Sequence, residues 1–355
     1  MAVRGGIVAL NFAVMIGLAA YLGLAAFGAL VVLWGFSLIA STALSLGGPL
    51  LLLGRLNDGT GMSRAGIILH VLIGPAVLAV IALPVLQLAL PSQPWVAILV
   101  AGFAINLVTC LASFMRAVGS VQMSMALRDA GPIIALGIVG VTAAGAGQTI
   151  LQAALWLGAL ATCVAAWCLC HANRGMVIRR KGATPPVNWA LWSTSILGMA
   201  LAQVDIVIGG SFLSAEQIGF YALLRRVTNL VALPVSVATW VSAGPVTAAF
   251  AAKDGYELKK AAAKGSQIAL IPGVILFTGA IAAIPLLDAL TGQTGGRTTF
   301  ALLATGALVQ VIFASSFTVA TLCGQARAAA LARGVSIGLY FVLVGIKTPG
   351  GMTGN

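Results

Sequence analysis

The stretch from Leu201 to Leu230, LAQVDIVIGGSFLSAEQIGFYALLRRVTNL, decides the fold of this chain. Two apolar runs flank the short polar turn Leu213–Gln217, and this pattern predicts two antiparallel helices. Within the apolar runs lie one acid, Asp205, and two bases, Arg225 and Arg226. Helices of this apolarity belong either in a protein core or in lipid, and the rest of the chain decides between the two.

Composition places these helices in lipid. Hydrophobic residues make up 60% of the 355 residues and charged residues only 7%, whereas a soluble domain carries about 25% charged residues. A chain with so few charges cannot cover itself with a solvated surface. We therefore predict an all-α, polytopic integral membrane protein.

Apolar runs long enough to span the hydrocarbon core recur along the chain and indicate about eleven transmembrane helices. They lie near residues 5–20, 28–53, 66–90, 94–115, 130–147, 149–172, 190–211, 219–249, 266–289, 299–323 and 330–346.

The basic residues lie mainly on one side of the predicted membrane. Arg4 and the even-numbered connections together hold 15 of the 19 lysines and arginines, whereas the odd-numbered connections hold only Arg297 and Lys347. Such an excess of positive charge marks the cytoplasmic side, so we predict a cytoplasmic N-terminus. The net charge of +12 then reflects topology, and we expect no nucleic-acid partner.

An internal repeat relates the two halves of the chain. Residues 22–28, LGLAAFG, and residues 213–219, LSAEQIG, each end in a glycine that precedes an apolar helix. The offset between Gly28 and Gly219 is 191 residues, which is the length of a six-helix lobe. Because six is an even number, both lobes enter the membrane in the same orientation, and parallel repeats of this kind are a transporter architecture.

The repeat predicts four segments. These are an N-terminal transmembrane lobe at 1–172, a cytoplasmic linker at 173–189, a C-terminal transmembrane lobe at 190–346 and a disordered tail at 347–355. The second lobe is incomplete, because two six-helix lobes require one more helix than the apolar runs supply. We therefore expect a chain that is truncated before its last helix.

The charges in the hairpin form the candidate transport site. Asp205 lies ten residues before Ala215, the centre of the turn, and Arg225 lies ten residues after it. Antiparallel helices that meet the membrane interface near Gly210 and Gly219 would bring both side chains to the same depth of roughly 8–9 Å, at 1.5 Å per residue. This geometry allows an ion pair or a shared anion site. The alternative is a structural salt bridge, with Arg226 reaching the lipid headgroups.

Three further residues on the predicted helix 219–249 complete the candidate set. Asn229 is assigned to the transport cavity together with Asp205, Arg225 and Arg226. Pro234 and Pro245 predict a bent element that could act as a hinge, because proline frees a carbonyl and kinks a helix.

The N-terminal lobe lacks matching charges. Subtracting the repeat offset places Val14 opposite Asp205 and Trp34 opposite Arg225. This lobe offers the polar side chains of Asn11 and Asn106 instead. A charged ligand is therefore expected to bind the C-terminal lobe.

Enzyme chemistry is not indicated. The five cysteines show neither a zinc-ligand spacing nor a disulfide framework, and no pair of a nucleophile and a base occurs. We expect no catalytic residue, metal site or cofactor.

Several short motifs resemble the polysaccharide (O-antigen/exopolysaccharide-type) flippases of the multidrug/oligosaccharidyl-lipid/polysaccharide exporter superfamily. The first is the pattern Leu-Gly followed by an aromatic residue and glycine at Leu22–Gly28. The others are Val204-Asp205, Gly209–Ser214, Ile218–Tyr221, Arg225 and Pro234.

The resemblance implies a flippase of the bacterial cytoplasmic (inner) membrane that works by alternating access. Its substrate would be an undecaprenyl-diphosphate-linked oligosaccharide for polysaccharide or lipopolysaccharide biosynthesis. Asp205, Arg225 and Arg226 would face a cationic cavity between two lobes. The implied partners are this lipid-linked oligosaccharide, the bilayer, a coupling proton or sodium ion, and other membrane proteins of polysaccharide assembly.

Three alternatives stay open at this point. The first is a drug/cation antiporter of the same superfamily, which would use Asp205 as its cavity acid. The second is an inactive, truncated remnant. The third and least favoured is a membrane glycosyl-polymerase or ligase, because the chain offers neither catalytic groups nor a large extramembrane loop.

Overall fold

The computed structural model describes most of the chain. The described residues are 2–49, 52, 66, 68–117, 120–145, 149–172, 189–282, 284–285, 296–313, 316, 319–320, 323 and 325–347. The predicted linker lies outside them except for Trp189, and so does the predicted tail except for Lys347. The described residues are largely helical and contain no β-strand, which confirms the predicted all-α class.

The described residues include thirteen α-helices and two π-helical turns. In chain order they are α1 (Ala2–Leu22), α2 (Leu24–Leu44), α3 (Gly74–Ala89, preceded by the π-helical turn Ile68–Ile73), α4 (Trp95–Ala117), α5 (Val121–Met125, followed by the π-helical turn Ala126–Ala130), α6 (Gly131–Gly145), α7 (Ile150–Ala172), α8 (Trp189–Phe212), α9 (Ala215–Asn229), α10 (Leu233–Ala251), α11 (Gly255–Ala282), α12 (Gly296–Ile312) and α13 (Ala326–Lys347).

Seven helices of the described part of the chain are long and apolar enough to cross a membrane. They are Leu24–Leu44, Ile68–Ala89, Trp95–Arg116, Gln122–Ala143, Trp192–Phe212, Leu233–Ala251 and Gly255–Ala282. Shorter apolar helices cover Gly6–Leu22, Gln152–Ala165 and Gly296–Ile312. Each predicted apolar run overlaps one of these helices or α13 in the described residues, so the polytopic helical prediction is confirmed.

The chain divides into two compact units, Met1–Gly219 and Phe220–Asn355. In the first unit α4 is central and packs against α2 and α7, while α2 also packs against α8. Small residues bring these helices together. A Cβ atom added to Gly102 on α4 would lie 2.9 Å from the Cβ of Ala40 and 3.1 Å from the carbonyl oxygen of Ser37, both on α2. Such close approach is typical of helix pairs in membranes.

In the second unit α10 packs against α11, and α11 packs against α12. The side chains of Ala238, Ala269 and Val311, one from each helix, are fully buried where they meet. Gly273 on α11 faces Val311, and the missing side chain leaves room for that valine.

The starts of α2 and α9 reproduce the predicted repeat. Leu24 and Ala215 are separated by the same 191 residues that separate the two motif glycines. The turn before α2 is formed by Gly23 with φ 77°, a conformation that favours glycine. The turn before α9 is a capping box, in which Ser214 N donates to Gln217 Oε1 (3.0 Å) and Gln217 N donates to Ser214 Oγ (3.2 Å).

The predicted single helix over 219–249 is wrong in one respect. The structure ends α9 at Asn229 and begins α10 at Leu233, with a turn between them. Pro234 is therefore in the first turn of α10, where its missing N–H costs no hydrogen bond. The chain is interrupted before this proline, whereas α10 continues through Pro245.

Candidate functional site

Asp205 lies in the apolar middle of α8. Its neighbours Val204 and Ile206 are buried, while Asp205 itself is half-buried and its Oδ1 atom is inaccessible to solvent. A carboxylate shielded in this way is costly in a hydrophobic helix. Its position within the first unit therefore calls for a functional explanation.

The packing of α8 on α2 fixes the direction of Asp205. Gln203, Ile206 and Val207 lie beside Gly35 of α2, and Gly210 lies beside Val32. At 3.6 residues per turn, Asp205 is rotated by roughly 150° from the centre of this stripe. The carboxylate thus lies on the face of α8 opposite to α2.

Arg225 lies on a buried stripe of α9. Ala222 and Ile218, one and two turns before it, are each 1% exposed. The spacing of four and then three residues places all three side chains on one helix face. Arg225 is half-buried, and its carbonyl oxygen accepts a hydrogen bond from Thr228 Oγ1 at 3.0 Å.

Arg226 and Asn229 lie in the last turn of α9. Arg226 is half-buried and points about 100° away from Arg225, because successive side chains of a helix differ by that angle. Asn229 is exposed and ends the helix. The unsatisfied carbonyls of a helix C-terminus attract cations, which gives Arg226 a structural role independent of any ligand.

The two predicted hinge prolines have different environments. Pro234 is buried at the beginning of α10. Pro245 is inside the helix, where it removes the hydrogen bond that would reach the carbonyl of Val241. Next to this gap, Ser242 Oγ donates to the carbonyl of Ala238 at 2.7 Å.

The candidate residues are divided between the units. Asp205 belongs to the first unit, and Arg225, Arg226, Asn229, Pro234 and Pro245 belong to the second. Within the second unit the arginines and Asn229 occupy consecutive turns of one helix. The pairing of Asp205 with Arg225 stays a prediction.

The second unit is cationic within its described helices. Arg225 and Arg226 are half-buried on α9, and Arg333 is half-buried on α13 near the predicted cytoplasmic connection. Glu257, the acid in those helices, is near the start of α11 and pairs with Lys260 at 3.0 Å. An excess of half-buried guanidinium groups favours an anionic ligand over a cationic one.

A cavity that the sequence did not predict lies inside the first unit. It has a volume of about 190 Å³ and is enclosed by α2, α4, α6 and α7. Trp34, Ile105, Leu136 and Leu157 are among its lining residues, and no charged side chain lines it. Trp34 is the repeat counterpart of Arg225, so the matching position of the first half lines a cavity.

A buried polar seam, formed by serines of α2 and Asn106 of α4, was indicated by the sequence only at Asn106. Ser37, Ser41 and Ser45 are buried at intervals of four residues on α2, and their hydroxyls donate to carbonyls of their own helix. Asn106 on α4 is 1% exposed, and its Nδ2 atom has no hydrogen-bond partner among the described residues. Asn11 on α1 is half-buried. The spacing of the serines was the signal that could have revealed this seam.

The described residues contain no group of three or more histidine, cysteine, aspartate or glutamate side chains that could hold a metal ion.

Comparison with known proteins identifies the fold. No protein-family model matches the chain, and no curated protein does. An outward-facing multidrug resistance MATE family transporter of the MOP superfamily aligns with 98% of this chain and 86% of its own, with a TM-score of 0.57 and 15% identity. A MATE protein in complex with MaL6 aligns with 93% of this chain and 83% of its own (TM-score 0.54, 14% identity).

A third structure is an inward-facing MATE transporter of the same superfamily. It aligns with 92% of this chain and 83% of its own, with a TM-score of 0.50 and 14% identity. The chain is thus a multi-pass helical membrane protein with the fold of the MATE transporters. The predicted polytopic helical fold is confirmed, whereas the superfamily and the polysaccharide-flippase subfamily stay predictions.

Proposed function

We propose that this chain is a flippase for an undecaprenyl-diphosphate-linked oligosaccharide. It moves the lipid-linked sugar across the bacterial inner membrane by alternating access and supplies polysaccharide biosynthesis. The observation that carries the proposal is Arg225, a guanidinium on the buried stripe of α9 in a unit whose described helices hold an excess of half-buried arginines.

The chemistry of arginine supports a diphosphate substrate. A guanidinium group offers a planar fork of donors that matches two phosphate oxygens, and it stays charged when it is partly desolvated. Arg225 would bind the diphosphate and Arg226 would add a second positive charge. Asp205 would either orient Arg225 or bind the coupling proton or sodium ion, and Asn229 would contact polar groups of the headgroup.

The repeat gives independent support for placing Arg225 in a cavity. Its counterpart Trp34 lines the cavity of the first unit. Equivalent positions of a parallel repeat occupy equivalent places in their lobes. The apolar Trp34 would make the first half of the substrate path suitable for the lipid. Arg225 would make the second half suitable for the phosphates.

The proposal also covers the setting in the cell. The N-terminus would be cytoplasmic, and polysaccharide-assembly enzymes of the same membrane would deliver and consume the lipid-linked substrate. Transport would be driven by a proton or sodium gradient.

Purified protein in proteoliposomes tests the role of Arg225. We expect Arg225→Ala to lower the initial rate of flipping of a fluorescent prenyl-diphosphate oligosaccharide by about tenfold or more, because a charge-assisted hydrogen bond contributes about 1.5–3 kcal/mol. Arg225→Lys should keep part of the rate. Arg297→Ala, which removes an exposed arginine from the first turn of α12, is the matched control. An undiminished rate in Arg225→Ala would rule out this role.

A drug/cation antiporter is the second candidate, because the similar solved structures include multidrug resistance transporters. A cationic substrate would depend on Asp205 and would gain from removal of a nearby arginine. Ethidium transport by the same proteoliposomes distinguishes the two functions. Transport of ethidium that is abolished by Asp205→Asn and raised by Arg225→Ala would favour the antiporter.

A further inference from the structure

Two glycines bring the backbones of α2 and α9 into direct contact. A Cβ atom added to Gly28 on α2 would collide with the carbonyl oxygen of Ala215 and lie 2.9 Å from the nitrogen of Gly219. A Cβ atom added to Gly219 would collide with the carbonyl oxygen of Leu24 and lie 3.2 Å from the nitrogen of Gly28. No side chain lies between the two helices at this point, so only glycine fits at either position.

This contact is symmetric with respect to the internal repeat. Gly28 and Gly219 are 191 residues apart, and so are the two residues that provide the carbonyl oxygens, Leu24 and Ala215. Gly28 approaches Ala215 and Gly219 approaches Leu24, so the repeat relates one contact to the other. A local two-fold axis must pass between the first turns of α2 and α9.

The residues next to the glycines follow the same relation. Phe27 and Ile218, again 191 residues apart, are 0% and 1% exposed. The two backbones therefore meet directly, and the apolar side chain that precedes each glycine is fully buried.

Other helix contacts of α2 have a different character. The contact of α2 with α8 extends along the helix, from Val32 beside Gly210 to the carbonyl of Ala43, which accepts a hydrogen bond from Trp192 Nε1 at 3.0 Å. By contrast, the first turn of α9 meets α2 through backbone atoms at Gly28 and Gly219. Smooth backbone surfaces of this kind separate without unlocking interdigitated side chains.

We propose that the Gly28–Gly219 contact is a reversible seal, made in the conformation described here and broken in the opposite conformation of the transport cycle. The seal lies at the starts of α2 and α9, on the side opposite the predicted basic connections. This inference rests on alternating access, as in the proposed function, but it does not depend on the identity of the substrate.

Distances between two spin labels test the seal directly. Ala25→Cys and Glu216→Cys place labels on exposed positions one residue beyond Leu24 and Ala215, in a background in which the five native cysteines are replaced. We expect the otherwise unaltered protein in nanodiscs to show two separations, with the shorter one corresponding to the contact. Gly28→Ala and Gly219→Ala should each lower the ratio of short to long separations by about tenfold or more, because overpacking of this contact is costly.

Gly17→Ala on α1 is the matched control, because an added Cβ there meets nothing within 4 Å. It should leave the two populations unchanged. One narrow separation under all conditions, including inward and outward ion gradients, would show a permanent packing contact and overturn the seal. The same conclusion would follow if Gly28→Ala and Gly219→Ala both failed to fold while Gly17→Ala folded normally.

The spin-label experiment and the test of the proposed substrate can fail independently of each other. Two label separations that respond to the glycine substitutions, without any flipping of prenyl-diphosphate oligosaccharide, would retain the seal and reject the substrate. Arg225-dependent flipping with one fixed separation would retain the substrate and reject the seal.

Discussion

Gly102 lies where α4 packs against the backbone of α2. An added Cβ atom would be 3.1 Å from both the carbonyl oxygen of Ser37 and the nitrogen of Ser41. These backbone atoms are held within a helix and have little freedom to move aside. A side chain at position 102 would therefore overpack the contact between α4 and α2.

Two glycine substitutions test this dependence on space. We expect Gly102→Ala to lower the free energy of unfolding by about 1–3 kcal/mol through overpacking. Gly306→Ala in α12, where nothing lies within 4 Å of the added atom, should instead raise it by about 0.5–1 kcal/mol through helix propensity. Denaturant unfolding in micelles measures both, and equal effects of the two substitutions would contradict the packing argument.

At this scale the sequence indicates candidate residues, but not the direction in which their side chains point. Asp205, Arg225 and Arg226 stand out because charges are rare in apolar helices. The rotation of Asp205 away from α2 could not be predicted, since it depends on which helix packs against Gln203 and Gly210. The apolar cavity beside Trp34 was missed for the same reason.

At the scale of elements, the turn between α8 and α9 is defined by local chemistry. Ser214 and Gln217 satisfy each other's backbone N–H groups, and Glu216 adds a negative charge to the first turn of α9. These features were visible in the sequence as a serine followed three residues later by a glutamine. The hairpin could therefore be predicted from residues that are close in the chain.

Removal of the cap should destabilise the start of α9. We expect Ser214→Ala to lower the free energy of unfolding by about 1 kcal/mol and to accelerate hydrogen exchange at the amide of Gln217. Ser211→Ala, at an exposed position inside α8, is the control and should have little effect. Unchanged exchange at Gln217 would show that the capping box does not hold this turn.

The break between α9 and α10 could not be read from hydropathy. Residues 230–232 are apolar and continue the pattern on both sides, so a hydrophobic run predicts one helix. Pro234 signals the interruption, because a proline is best tolerated in the first turn of a helix and disfavours helical geometry in the residue before it. Because membrane helices tolerate internal prolines, Pro234 alone did not indicate that the helix is interrupted before it.

At the scale of the whole molecule, the distribution of basic residues predicts the orientation in the membrane. Position 216 at the start of α9 and position 259 near the start of α11 are both exposed and belong to predicted connections on opposite sides. We expect a membrane-impermeant maleimide to label Glu216→Cys in intact spheroplasts. Lys259→Cys should be labelled only after permeabilisation, in a background without native cysteines. Labelling of both from one side would contradict the predicted orientation.

The internal repeat is a whole-molecule prediction that agrees with the structure at the starts of two helices. The offset of 191 residues was found from two glycine-ended turns, and the structure begins α2 and α9 with the same offset. What the sequence could not predict is that the two glycines contact each other. Repeat relations define equivalent positions, whereas contact between them depends on the location of the symmetry axis.

In the proposed function, half-buried arginines select a lipid by its diphosphate. The most direct measurement compares the initial flipping rates, in proteoliposomes of the full chain, of two fluorescent prenyl-linked oligosaccharides that differ only in the presence of the diphosphate. We expect rapid flipping of the diphosphate lipid, at least about tenfold faster than that of the neutral lipid. Equal rates for both lipids, or faster flipping of the neutral one, would contradict this selection.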